Sequence, residues 1–204
     1  MESSRAYGNS PFKILLVHGG PGAPGYHAPL ATILSENAGI VELLNSASSI
    51  EEQIFELYEE IIRQCDLPVI LIGHAWGAWL SWIFASKYSN LVKKLILIGS
   101  GPFEAKYAQE ILKTRMSRLD ESDRELLSGY LQKLEGHPDK NRLFEKTGKL
   151  LSRADTLDAI SDENYVLEYQ YNVFKSVCGE AEKLRQSGKL LNLGITIGYV
   201  GVVN

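Results

Sequence analysis

The sequence predicts an α/β fold: a parallel sheet with helices on both faces, interrupted by an inserted helical segment. Three observations predict it. Apolar runs at Phe12–Val17, Ile40–Leu44, Leu67–Ile72 and Lys94–Gly99 are short and nearly continuous, the pattern of strands buried on both faces. Helix-forming runs separate them, so consecutive strands need right-handed crossovers. Two glycine-bearing turns follow the first and third runs, beyond the carboxyl ends of strands, where ligands bind in such sheets.

The elements follow in order. Met1–Ser10 is a polar lead, with no apolar segment behind a basic start that would read as a signal peptide. After the first strand, His18-Gly19-Gly20-Pro21-Gly22-Ala23-Pro24-Gly25 is too rich in Gly and Pro for regular structure. Pro29–Glu36 predicts a short helix, with Pro29 tolerated in its first turn. Ser49 predicts the cap of a longer helix, with Glu52 three residues on as a capping box. Its apolar face is Ile50, Ile54, Leu57, Tyr58, Ile61 and Cys65, at helical spacing. Ala78–Tyr88 predicts the helix after the third strand. From Phe103 to Ser187 no strand pattern is found, only charged amphipathic helices at 104–119, 122–134, 141–151 and 163–177. Residues 103–187 are therefore expected to form a helical cap, and 1–102 with 188–204 the core. The uncharged tail predicts a last strand at 195–200, forming one sheet edge, with the Ile40 strand at the other.

Composition narrows the function classes. The 204 residues carry a net charge of −4, which argues against a nucleic-acid or anionic-membrane surface. No apolar run approaches the roughly 20 residues of a membrane span. Two cysteines far apart, Cys65 and Cys178, read as reduced thiols of a cytoplasmic protein. No cofactor or metal is expected. An exposed tail strand would favour self-association through the sheet edge.

The turn Gly73-His74-Ala75-Trp76-Gly77 has the shape of a nucleophile elbow, Gly-x-Ser-x-Gly between a strand and a helix. Its glycines allow the sharp turn and the close passage of two backbones. The central residue would carry the nucleophile, and here it is Ala75. The loop at 18–25 should meet the elbow. The N–H groups of Gly20 and Trp76, with Gly19 beside them, are the candidate oxyanion donors of such a site. A competing reading takes Gly20-Pro21-Gly22-Ala23-Pro24-Gly25 as Gly-x-Gly-x-x-Gly, with Glu42 as the ribose-binding acid of a dinucleotide site. The chemistry opposes it, because Pro21 and Pro24 remove two of the N–H groups a phosphate needs.

Taken together, His18-Gly19-Gly20-Pro21-Gly22, the elbow at 73–77, Leu95-Ile96-Leu97-Ile98-Gly99-Ser100 and the helical insertion resemble the α/β-hydrolase family, and within it the proline iminopeptidase-like group. The resemblance implies hydrolysis of esters or amides by a Ser at position 75, with an Asp and a His later in the chain. This chain departs from it: position 75 is Ala, no acidic residue follows Glu182, and no histidine follows His137. Nor does Met1–Ser10 leave room for the usual leading hairpin. The expectation is a truncated hydrolase core, inactive as written. The alternatives are a ligand-binding protein that reuses the cleft for a small ester or amide, and a nucleophile-to-Ala variant of an active enzyme.

Other side chains could line the pocket. His18 reads as a brace for its loop, His74 as a residue turned into the packing, and His137 as a solvated loop residue. Tyr165 and Tyr169 fall at i and i+4 of the expected 163–177 helix, which favours helix packing over a pocket wall. Trp79 and Trp82 read as core, and Trp76 as facing the cleft.

Overall fold

The computed structural model describes residues 2–156, 165–195 and 200–203. Six strands form one sheet: β1 (Ser4–Tyr7), β2 (Phe12–Val17), β3 (Gly39–Leu43), β4 (Val69–His74), β5 (Val92–Ile98) and β6 (Val200–Val203). Their order is β1-β3-β2-β4-β5-β6. Strands β2 to β6 pair in parallel, with Leu15 beside Leu71, Leu71 beside Leu95 and Leu95 beside Val200. The four apolar runs are thus parallel neighbours, as their two-sided burial required.

Two expectations about the edges are corrected. The polar lead is itself a strand: β1 pairs antiparallel with β3, Ser4 opposite Leu43 and Tyr7 opposite Ile40. The Ile40 strand therefore lies inside the sheet. An edge strand needs backbone pairing and only one covered face, so a polar sequence can supply it. At the far edge β6 begins at Val200, and residues 196–199 of the expected tail strand lie outside the described residues.

Alternation along the strands divides the core. Leu15, Val17, Val41, Leu43, Val69, Leu71, Leu95 and Leu97 face one cluster with α2 (Ile50–Gln64) and α3 (Trp76–Lys87). Leu16 and Ile40 face a smaller cluster with Ala31 of α1 (Ala28–Leu34). Helices thus cover both faces. Helix α2 begins as its capping residues dictate: the Ser49 hydroxyl accepts from the Glu52 N–H at 3.2 Å and donates to the Glu52 carboxylate at 2.8 Å. Helix α3 is buried around most of its circumference, which its apolar sequence permits.

After β5 come α4 (Ile111–Arg118), α5 (Glu121–Lys133), α6 (Lys140–Asp155) and α7 (Tyr171–Gln186). Helices α4 to α6 pack mainly on one another, through Leu119, Leu127, Leu150 and Ala154 and through Leu134, Leu143 and Phe144. Helix α7 instead sends Val173, Val177 and Ala181 into the main core. The expected helix at 163–177 is displaced: α7 starts at Tyr171, so Tyr165 and Tyr169 precede it and share no helix face. Similarly, only Ile111–Arg118 of the expected 104–119 helix is α-helical, preceded by a short 3₁₀ turn at Ala105–Tyr107.

Candidate active site

Strand β4 passes into α3 through Ala75, whose backbone sits at φ 49°, ψ −110°. Ala75 is the sole non-glycine with positive φ among the described residues. Its N–H is held by the Ile98 carbonyl at 3.0 Å. The flanking glycines are fixed by backbone contact. A Cβ on Gly73 would collide with the Gly77 carbonyl, and one on Gly77 would strike the Val17 carbonyl and come within 2.7 Å of the His18 oxygen. The first turn of α3 therefore lies directly on the ends of β2 and β4.

The loop after β2 meets this turn. A side chain on Gly19 would lie 3.0 Å from the Ala75 methyl and 2.7 Å from His74 Nδ1. Gly20 has φ +71°, and its carbonyl accepts from the Ala23 N–H at 3.1 Å. Among the described residues, neither the Gly20 N–H nor the Trp76 N–H donates to a backbone carbonyl. The loop thus reaches Ala75 at Gly19, and the candidate donors Gly20, next in the loop, and Trp76, next in the elbow, leave their N–H groups unspent on the backbone.

Three histidines surround the turn. His18 is fully buried and braces the loop, with Nδ1 3.1 Å from the Gly19 oxygen and Nε2 3.4 Å from the Asn45 oxygen. Burial holds its imidazole neutral, well below the usual histidine range. His27, uninformative in sequence, is buried with its ring 5.5 Å from that of His74. Burial, reinforced by His74 and His18, lowers His27 to about 3. His74 lies on the α1 side of β4, stacked on the half-exposed Tyr26 ring at 5.8 Å, and burial lowers it too. Its Nδ1 is buried against Gly19 with no hydrogen-bond partner in the described structure. Beneath the loop, the fully buried Glu42 accepts from Tyr7 Oη at 2.7 Å and from the His27 N–H at 3.0 Å. Burial raises the Glu42 carboxyl and the Tyr7 phenol, the latter to about 12.

Trp76 corrects an expectation. Its indole is buried in the main core, and its Nε1–H donates to Gln53 Oε1 of α2 at 2.9 Å. The side chain turns away from the cleft because α2 offers it an acceptor inside the core, leaving only its backbone N–H at the site. Tyr169 packs edge-on against Phe144 of α6 at 5.9 Å. The Tyr165 carbonyl approaches Gly25. His137 lies in the loop before α6, its Nδ1 2.7 Å from the Asp139 oxygen and 3.0 Å from the Asp139 nitrogen, apart from the elbow. The missed neighbours are Tyr26 and His27; in sequence Glu42 reads only as the acid of a dinucleotide site, and Tyr165 and Tyr169 only as helix residues. A solitary His-Ala pair after a Gly-Pro loop carries no periodic signal that could have indicated them.

Among the described residues no group of three or more His, Cys, Asp or Glu is placed to hold a metal ion. The surroundings oppose the dinucleotide reading as well: the Gln170 and Tyr165 carbonyl oxygens, which would repel a phosphate, lie against Gly22 and Gly25. Surface clefts of about 480 Å³ on α5 and about 270 Å³ beside Arg115 include no residue of the elbow or of the 18–25 loop. No helix among the described residues is long and apolar enough to cross a membrane.

No family model matches the chain. A proline iminopeptidase of Chitinophaga pinensis is 29% identical over 131 residues, which span 53% of this chain and 43% of that enzyme. The match thus covers less than half the length of that relative. Among solved structures, E-2-(acetamidomethylene)succinate hydrolase superposes with a TM-score of 0.56 at 16% identity, covering 97% of this chain and 74% of that one. The thioesterase domain of the curacin biosynthetic pathway superposes with a TM-score of 0.50 at 15% identity, covering 98% and 78%. With parallel strands β2 to β6, a sharp strand-to-helix turn between β4 and α3 and these structural neighbours, the chain has the α/β-hydrolase fold.

Proposed function

We propose that this chain is a serine-hydrolase scaffold, of the proline iminopeptidase-like kind, that binds an ester or amide carbonyl without cleaving it. The observation that carries the reading is Ala75: the elbow keeps its strained backbone, φ 49° and ψ −110°, although the residue ends in a methyl group. In a serine hydrolase the residue at this turn attacks the carbonyl, a histidine takes its proton, and two backbone N–H groups hold the oxyanion. The free N–H groups of Gly20 and Trp76 support a retained oxyanion site. The methyl of Ala75 supports silence in the chemical step. His18 and His74 are neutral, yet the His74 Nδ1 is packed against Gly19 and His18 is spent on loop carbonyls, so neither is poised as a base. The proline iminopeptidase relative favours an amide ligand. Residues 103–187 are read as a cap on a core of 1–102 and 188–204; the separate packing of α4 to α6 supports this, while α7 joins it to the main core. A cytoplasmic location belongs to the same reading, supported by the free thiols Cys65 and Cys178, which burial pushes to about 12.

The test is hydrolysis of p-nitrophenyl acetate and of a proline p-nitroanilide by the wild type and by Ala75→Ser. Loss of the serine nucleophile in a studied protease costs on the order of 10⁶ in turnover. A serine hydroxyl restored without a base stays a poor nucleophile, so both proteins are expected to remain at the background rate. Wild-type turnover would overturn the reading. Turnover by Ala75→Ser of about 10 per second, an ordinary enzyme rate, would show that a histidine of this chain serves as base.

A further inference from the structure

The loop at 18–25 touches a second partner besides the elbow. The Gln170 N–H donates to the Gly22 carbonyl at 2.7 Å, and the Leu167 N–H donates to the Pro24 carbonyl at 2.9 Å. The strap at 165–170 therefore lies along the loop and donates, while the loop accepts. The loop sequence suits that polarity, because Pro21 and Pro24 have no N–H to offer. Gly22 and Gly25 have φ of +75° and +94°. A Cβ on Gly22 would collide with the Gln170 carbonyl, and one on Gly25 would come within 2.7 Å of the Tyr165 oxygen and of Leu167 Cγ. These two glycines are thus demanded by the strap as much as by the turn.

The strap is in turn anchored to the helices behind it. The Gln170 carbonyl accepts from the Phe174 N–H at 3.1 Å, in the first turn of α7. The Tyr171 N–H donates to Asn141 Oδ1 of α6 at 2.9 Å, and Tyr169 packs on Phe144. One path therefore runs to Gly22, two residues from Gly20, by backbone from α7 through Gln170, with α6 joined to it through the Asn141 and Phe144 side chains.

We propose that residues 165–170 are a positioning latch: they hold the 18–25 loop against the elbow and set the Gly19–Gly20 amides from the helices α6 and α7. The proposal rests on the reading of those amides as the binding site. A displacement of α6 and α7 on ligand entry would reach Gly20 through two backbone hydrogen bonds, without any side chain entering the site.

The test is amide hydrogen exchange, read by NMR on the intact chain, in the wild type and in Gly22→Ala. In the variant the Leu167 and Gln170 amides are expected to exchange roughly tenfold faster or more, as local opening loses its hydrogen bonds. The Gly19 and Gly20 resonances should move with them, while Ala75, bonded to Ile98, keeps its protection. Unchanged exchange at Leu167 and Gln170 would overturn the latch. So would faster exchange there with Gly19 and Gly20 unmoved, which is the result for a strap that only packs. Should Gly22→Ala not fold, the wild type decides: a common exchange rate for Leu167 and Gln170 supports one latch, and unrelated rates overturn it. Titration with acetate separates this proposal from the binding reading. Wild-type Gly20 and Trp76 amides that ignore acetate would sink the oxyanion site and leave the exchange result standing.

Discussion

Gln53 and Trp76 are joined inside the core: Gln53 Oε1 accepts the indole N–H at 2.9 Å, and Gln53 Nε2 donates to the Ala47 carbonyl at 2.8 Å. One fully buried amide thereby ties α2, the start of the elbow helix and the loop after β3. Replacing it by an apolar residue of similar size leaves the Trp76 N–H buried and unpaired, a cost of about 1–3 kcal/mol. Gln53→Leu is expected to lower stability by that amount in chemical denaturation. A change under about 0.5 kcal/mol would mean that the indole finds another acceptor.

Ala75 carries backbone strain with no nucleophile to justify it. A non-glycine residue in such a region costs on the order of 1–3 kcal/mol. Glycine adopts the same φ freely but loses about 0.5–1 kcal/mol more entropy on folding. Ala75→Gly is therefore expected to stabilise the fold by about 1 kcal/mol, read as a raised denaturation midpoint. A clear loss of stability would show that the Ala75 methyl packs more tightly than the strain costs.

Acid should destabilise the protein through its buried imidazoles. His27 is lowered to about 3, and His18 and His74 are lowered, each with burial as the main cause. The unfolded chain binds protons at these sites below about 6.5. Between there and about 3 it binds more of them than the folded chain, so stability falls as pH falls. Glu42, raised by burial, acts the other way: the folded chain holds the extra proton between its raised value and the ordinary one, so its contribution weakens as pH rises through that window. Glu56, also raised by burial, acts with Glu42, and the three imidazoles outweigh these two carboxyls from pH 7 to 5. The melting temperature should drop over that range, and less steeply in His27→Phe. Equal slopes in the two proteins would contradict the burial of His27 as the cause.

Strand β6 ends the sheet among the described residues, with no strand on its outer side. On the α1 side, Ile70, Ile72, Ile96 and Ile98 are only partly buried. An unpaired edge beside an apolar face is a template for pairing with another copy. Sedimentation is expected to show association growing from micromolar to millimolar protein, where such edges become aggregation-prone. A monomer throughout would mean the edge is blunted.

Whatever is local was legible in the sequence. Four apolar runs announced parallel strands, because only a sheet covered on both faces needs them continuous. Ser49 and Glu52 announced the start of α2 through the bonds they make three residues apart. Gly73 and Gly77 announced the elbow, since a strand and a helix cannot approach so closely at any other residue. Tertiary structure decided whatever depends on partners distant in the chain. Ser4–Tyr7 is a strand because β3 offers a free ladder, a fact held by Gly39–Leu43 and not by the polar residues themselves. The Trp76 indole turns inward because Gln53, on another helix, accepts its proton. Gly22 and Gly25 read as loop glycines of no stated purpose until the Gln170 and Tyr165 carbonyls occupy the space their side chains would need. A glycine records that room is required and not by what, so the strap across the site could emerge only when residues some 140 positions apart were brought into contact.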